Sequence, residues 1–252
     1  MINELRQRLQ SLQKTAGIED GPGILPLGIE AIDAALGGGL ARGALHEIAA
    51  PSEAHLAAAT GFVLGVCSLR GDAHKGRGKS ILWVAEDMAL AESGVPYGPG
   101  LDPFNLAPER LLTVAASHRR DLLWAMEEAL RCRATAAVIG ELRHGALDAV
   151  AVRRLSLAAA DSGALALLLR AKPAGDASTA ATRWIVGAAP SSPAHGFEFG
   201  PPRFAAQLVR NRRGQTGSWI LEWSDIDERF VLATPALSVA APALDRPHRQ
   251  VA

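Results

Sequence analysis

The chain has 252 residues, nearly half of them apolar, with 26 Lys plus Arg set against 26 Asp plus Glu. That length allows one large α/β domain or two small ones with a sizeable core, and a formal charge of zero gives no sign of a dedicated nucleic-acid binder. Two cysteines without C-x-x-C spacing, Cys67 and Cys132, fit a reduced protein better than a disulfide scaffold or a zinc site; with no apolar run of membrane-spanning length and no signal-peptide pattern in Met1 to Lys14, a soluble cytoplasmic protein is expected.

Ile2, Leu5, Leu9 and Leu12 fall on one helical stripe, which predicts an N-terminal helix. The segment GIEDGPG, Gly17 to Gly23, links it loosely to the remainder of the chain. Such a helix either lies against its own domain or docks a partner through Leu5, Leu9 and Leu12. Residues 1–23 are therefore set apart from a domain over 24–233 and a Pro/Ala-rich tail over 234–252.

Leu25 to Ala59 organises the domain: a short helix, a glycine turn, a strand from Ala44 to Ile48, a bend at Pro51, and a long helix running to about Leu69 with Ser52 as its N-cap. A strand passing through a bend into a helix N-terminus is where nucleotide-binding α/β proteins hold phosphate, because free N–H groups and the helix dipole both favour an anion. A phosphate loop also needs a glycine-rich run, a lysine, and a Ser or Thr for Mg²⁺. Ala50, Pro51, Ser52, Glu53, Ala54, His55, Leu56 and Ala57 stand there instead. They include no lysine, and Glu53 would repel a triphosphate. The position reads as a degenerate phosphate loop, so no nucleotide cofactor and no metal are expected. Ala73 to Ser80 satisfies a relaxed A-x-x-x-x-G-K-S pattern, but Ser80 opens a strand where a phosphate loop must open a helix.

Leu27, Gly28, Ile32, Asp33, Leu36, Gly37, Gly38, Gly39, Leu40, Gly43, Glu47 and Ile48 together resemble the "TG…LD…LGGGL…G…EI" opening of the RecA-type core. Among RecA relatives, a version without the loop lysine is similar to the ImuA family, accessory proteins of DNA-damage-induced mutagenesis. The resemblance runs from about Leu25 to Glu222. It implies an α/β fold with a RecA-like core, a mostly parallel sheet flanked by helices, and a C-terminal antiparallel β-hairpin extending the sheet. It also implies partners: ImuB, an inactive relative of Y-family polymerases, and through it an error-prone C-family polymerase, with RecA itself a further one.

Ile81 to Glu86 is an apolar run of buried-strand type. In the RecA-like pattern a glutamate at this strand end activates the attacking water, and Glu86 aligns with it; without the lysine it reads as vestigial. Leu111 to Val114 is a short strand, and Arg119 to Arg131 a helix with Leu122, Leu123, Met126, Ala129 and Leu130 on its core face. The strand Thr135 to Ile139 is followed by Gly140, where the pattern has a magnesium-holding Asp, and then by Glu141, a second vestigial carboxylate. A helix over Ala146 to Ala160 and a strand over Ala164 to Leu169 complete this half of the domain.

Between Ser162 and Leu221, the cations Arg170, Lys172, Arg183, Arg203, Arg210, Arg212 and Arg213 face only Asp176 and Glu198. The group reads either as charge guarding a sheet edge or, through Arg170, Lys172, Arg203, Arg210, Arg212 and Arg213, as a contact for DNA or a partner. Arg203 to Arg210 and Ser218 to Trp223 form a β-hairpin across NRRGQTG. In the tail, Leu237 and Val239 offer a short apolar peptide for a partner. The histidines show no metal-ligand spacing, and no G-x-S-x-G elbow occurs.

The leading expectation is a non-catalytic accessory protein of translesion synthesis that works by protein contact. The alternatives are a weak ATPase, a modulator of RecA filaments, and a cell-division inhibitor similar to SulA, another lysine-less RecA relative.

Overall fold

A computed structural model describes residues 23–69, 79–132, 134–145, 147–175, 178–191 and 200–233. Leu5, Leu9 and Leu12 of the N-terminal stripe, Leu237 and Val239 of the tail, and the basic loop before Lys79 lie outside the described residues.

A small antiparallel pair, β1 (Ile24–Leu25) with β2 (Leu40–Ala41), brackets α1 (Glu30–Leu36). The Asp33 carboxylate accepts from the N–H groups of Leu27 and Gly28, and Gly37 ends α1 in the left-handed conformation. Six parallel strands make the centre of the main sheet: β3 (Leu45–Ala49), β4 (Ser80–Glu86), β5 (Leu111–Ala116), β6 (Thr135–Leu142), β7 (Leu165–Arg170) and β8 (Thr182–Ala188). The hairpin of β9 (Arg203–Asn211) and β10 (Gly217–Ser224) adds antiparallel to β8, and β11 (Arg229–Leu232) closes the edge. The spatial order is β11-β10-β9-β8-β3-β7-β6-β4-β5. β8 and β11 go beyond the strands expected from the sequence.

The two sheet faces are covered differently. On one, α5 (Arg119–Arg131) and α6 (Ala149–Ser162) pack over the parallel strands, with Leu122, Met126, Leu130, Val152 and Leu155 against Val84, Val138 and Leu168. On the other lies α2 (Leu56–Ser68), a core helix buried on almost every side. Phe62 packs on Trp184, Phe204 and Phe230, with ring centroids 5.7, 6.2 and 5.2 Å apart. Trp223 and Phe230 extend the same aromatic layer. The antiparallel strands thus act as a wing folded over α2. Its outer face leaves Ile220 and Val209 exposed.

Gly65 permits this contact: a Cβ there would lie 2.5 Å from Phe230 Cζ and 3.1 Å from Trp223 Cε3. Replacing Gly65 by Ala must push the wing off α2. The expected cost is roughly 1–3 kcal/mol, the range for overpacking a filled core, read as a lower urea midpoint and partly recovered by Phe230→Leu.

His46 on β3 is fully buried. Its Nε2 donates to Ala41 O at 2.9 Å, so its Nδ1 accepts from Thr182 Oγ1 at 2.7 Å, and Trp184 Nε1 donates to that hydroxyl at 3.0 Å. This chain of bonds requires the neutral ring, and burial lowers the His46 pKa from 6.5 to about 4. Because the folded value lies below the unfolded one, the unfolded chain binds the extra proton between them. Stability therefore falls as pH drops from 6.5 to 4, by about 3 kcal/mol at full extent. Urea unfolding at stepped pH should show that slope in the wild type and lose it in His46→Asn.

Candidate functional site

β3 ends at the carboxyl edge of the parallel strands, where α/β sheets bind ligands. Ala50 continues its line, donating to Arg170 O at 2.9 Å. Ser52 is then extended, with no side-chain cap on the helix, which corrects its expected N-cap role. The chain turns instead through a 3₁₀ segment, Glu53–His55, before α2 begins at Leu56. His55 N–H bonds back to Ser52 O at 2.9 Å, and Leu56 N–H to Glu53 O. Both are donors that a phosphate loop would aim at its anion. His55 Nδ1 accepts the Ala188 N–H at 3.0 Å, which pins the turn to β8. Gly187 makes room for it, since a Cβ there would sit 3.1 Å from Pro51 Cγ.

A cleft of about 530 Å³ opens beside this turn. Leu56, Leu64, Trp83, Leu101 and Phe104 give it apolar walls; Glu53, Glu141 and Arg143 are its charged lining; Tyr97 stands at its border. Leu101 and Phe104 come from short helical turns after α3 (Asp87–Ser93), namely α4 (Gly98–Leu101) and a 3₁₀ turn, Asp102–Phe104.

The two carboxylates expected to share a vestigial site lie on opposite faces of the sheet. β6 runs on through Leu142, two residues beyond the Gly140 stop, and this changes the reading of the second motif. Gly140 faces α5, where a Cβ would collide with Met126 Sδ, and so it points away from the cleft. Glu141 faces the cleft. It accepts from Trp83 Nε1 at 3.0 Å and pairs with Arg143, whose Nε lies 2.9 Å from Oε1. Arg143 also donates to Ser93 Oγ. Glu86, one position past the cleft-facing Ala85, turns to the other face and approaches Arg119 of α5, with Nε 3.7 Å away.

The basic group divides between the two ends of the strands. Arg170 is buried and donates to Gly145 O, holding the loop after β6. Arg203 is ion-paired with Glu222 across the hairpin at 2.6 Å, and Arg183 with Glu47 at 2.7 Å. Both acids lie outside the stretch from Ser162 to Leu221. Arg170 and Arg203 are thus each engaged by partners within the fold. Lys172 is exposed past the end of β7. Arg210 and Arg212 reach Ser178 O at the opposite end, where Arg213 is exposed beside them. No cluster of three or more His, Cys, Asp or Glu suited to a metal occurs among the described residues, and no described helix is long and apolar enough to cross a membrane.

No protein-family model matches the chain. It is 32% identical over 221 residues to Protein ImuA of Caulobacter vibrioides strain NA1000 / CB15N, covering 82% of this chain and 86% of that protein. The same figures hold for Protein ImuA of strain ATCC 19089 / CIP 103742 / CB 15. Among solved structures, the RadB recombinase superposes with a TM-score of 0.56 at 16% identity, over 84% of this chain and 100% of that one. The fold is RecA-like.

Glu141 and Arg143 side chains are 10% and 12% exposed, so removing either leaves the other charge buried and uncompensated. Glu141→Ala or Arg143→Ala alone should each cost roughly 3 kcal/mol in chemical unfolding, and the double variant less than the sum.

Proposed function

The chain belongs to the ImuA family, and from that premise we propose that it is a non-catalytic, RecA-like accessory protein of damage-induced mutagenesis. It works by contact with an ImuB-type protein and, through it, an error-prone C-family polymerase.

The observation that carries the non-catalytic part is the state of the phosphate-loop turn. A triphosphate needs free N–H donors at the helix start, a cation, and a hydroxyl for the metal. Here early donors are spent inside the 3₁₀ turn. Leu56 and Ala57 begin the helix, and Glu53 adds negative charge at the mouth. The strand carboxylate facing the cleft, Glu141, is held by Trp83 and Arg143. These residues do not fit a magnesium nucleotide, and no hydrolytic step is assigned to them. Glu86 faces away, which speaks against its use as a base for an attacking water.

Thermal unfolding with millimolar MgATP should leave the midpoint unmoved. A ligand at a hundred times its dissociation constant would add ~2.7 kcal/mol, so a clear upward shift would overturn the non-catalytic reading. Affinity capture on the immobilised chain should retain an ImuB-type protein and not the division tubulin homologue. Retention of the latter alone would favour a SulA-like inhibitor.

A further inference from the structure

Building on the adaptor reading, we propose that the cleft beside α2 is a peptide-docking pocket, and that its occupant is an aromatic side chain of the partner followed directly by a basic residue.

The cleft combines three features. Its walls are apolar and include two aromatic residues, Trp83 and Phe104, with Leu56, Leu64 and Leu101. Both rings belong to the packed core: Trp83 is held through Nε1 by Glu141, and Phe104 stacks on Trp223 with centroids 5.2 Å apart. A preformed slot of this kind suits a rigid aromatic anchor, which loses little rotamer entropy on burial. The second feature lies on the polar side, where Arg143 Nε is buried and has no hydrogen-bond acceptor among the described residues. Its approach to Glu141 is an ion pair without the alignment of a hydrogen bond. Arg143 thus spends its charge on Glu141 and Ser93 and adds no free cation to the cleft.

The third feature is charge. The lining holds Glu53 and Glu141 against Arg143 alone. Glu141 is neutralised by Arg143, while Glu53 is 60% exposed, and among the described residues its ion-pair neighbour is His144, at 4.0 Å. Glu92 is exposed one residue before the lining Ser93. The mouth is thus acidic. It repels phosphate and carboxylate and attracts Lys or Arg. An aromatic group entering the slot places the next residue of its chain at this mouth, which makes that residue basic.

The probes are two capped dipeptides, N-acetyl-Trp-Arg-amide and N-acetyl-Trp-Glu-amide, titrated into the full chain and followed by NMR. The Arg peptide should bind about five-fold tighter than the Glu peptide, a ratio in keeping with one partly exposed charge contact. Glu53→Lys should reverse the order. Ala57→Trp, a substitution at an exposed cleft residue of α2, should block both peptides while the thermal midpoint stays put. Equal affinities, undiminished binding to Ala57→Trp, or no binding of either peptide at millimolar concentration would each overturn the proposal. Capture of the ImuB-type protein separates this inference from the reading beneath it. If the wild type captures it and Ala57→Trp captures it equally, the pocket is not the docking site and the adaptor reading stands. If the wild type captures nothing, the adaptor reading itself fails.

Discussion

The contact on which the rest of the molecule depends is the close approach of α2 to the aromatic underside of the wing. A helix flanked by a parallel sheet alone would bury one stripe. This one also meets Phe204 and Phe230 of the antiparallel strands, and Gly65 is what lets Phe230 and Trp223 come that near. The consequence is a helix with little freedom to shift along or away from the sheet, since protein interiors are packed as densely as molecular crystals. The turn that precedes α2, and one wall of the cleft, inherit that rigidity. Trp223 carries the same constraint outward: its Nε1 donates to Pro103 O at 2.6 Å and its ring stacks on Phe104, so the wing also places the opposite wall.

Charge in this protein fastens loops at both ends of the parallel strands. Arg170 holds the loop after β6 through Gly145 O, and Arg119 reaches His144 O in the same loop. Glu47 on β3 binds Arg183 and Ser178, securing the segment between β7 and β8. Each arrangement satisfies a buried or half-buried charge that would otherwise be costly to remove from water. Arg170 and Arg183 are held by such contacts, while Lys172, Arg212 and Arg213 are exposed.

Elements with strong local periodicity are legible in the sequence. Helix α5 spans Arg119–Arg131 as its apolar spacing requires, and β4 and β7 emerge from uninterrupted apolar runs. The elements that the sequence hides share one cause, information held by distant residues. β6 reads as finished at Ile139 because Gly140 and Glu141 are poor strand residues. Met126 on α5 explains the glycine, and Trp83, 58 residues away, explains the glutamate. β8 is concealed because Arg183 interrupts its apolar pattern, and the acid that makes an arginine tolerable there sits on β3. The family pattern through Leu25 to Ile48 leads up to the turn beside the cleft, whose lining begins only at Glu53. It carries no information on which face each later carboxylate takes, because strand parity depends on where β4 and β6 end.

The turn before α2 is set by its backbone as much as by its side chains. Restoring a lysine at Leu56 and a hydroxyl at Ala57 would return a charge and a metal ligand. It would leave the His55 and Leu56 N–H groups bonded within their own turn, and His55 still tied to Ala188. An anion approaching this helix start would still find those two donors committed, with Glu53 beside them. The 3₁₀ turn, the glycine that admits it at position 187, and the internally paired Glu141 form one consistent arrangement. Under the proposed function, the apolar walls and the exposed Glu53 are what this arrangement offers to a partner.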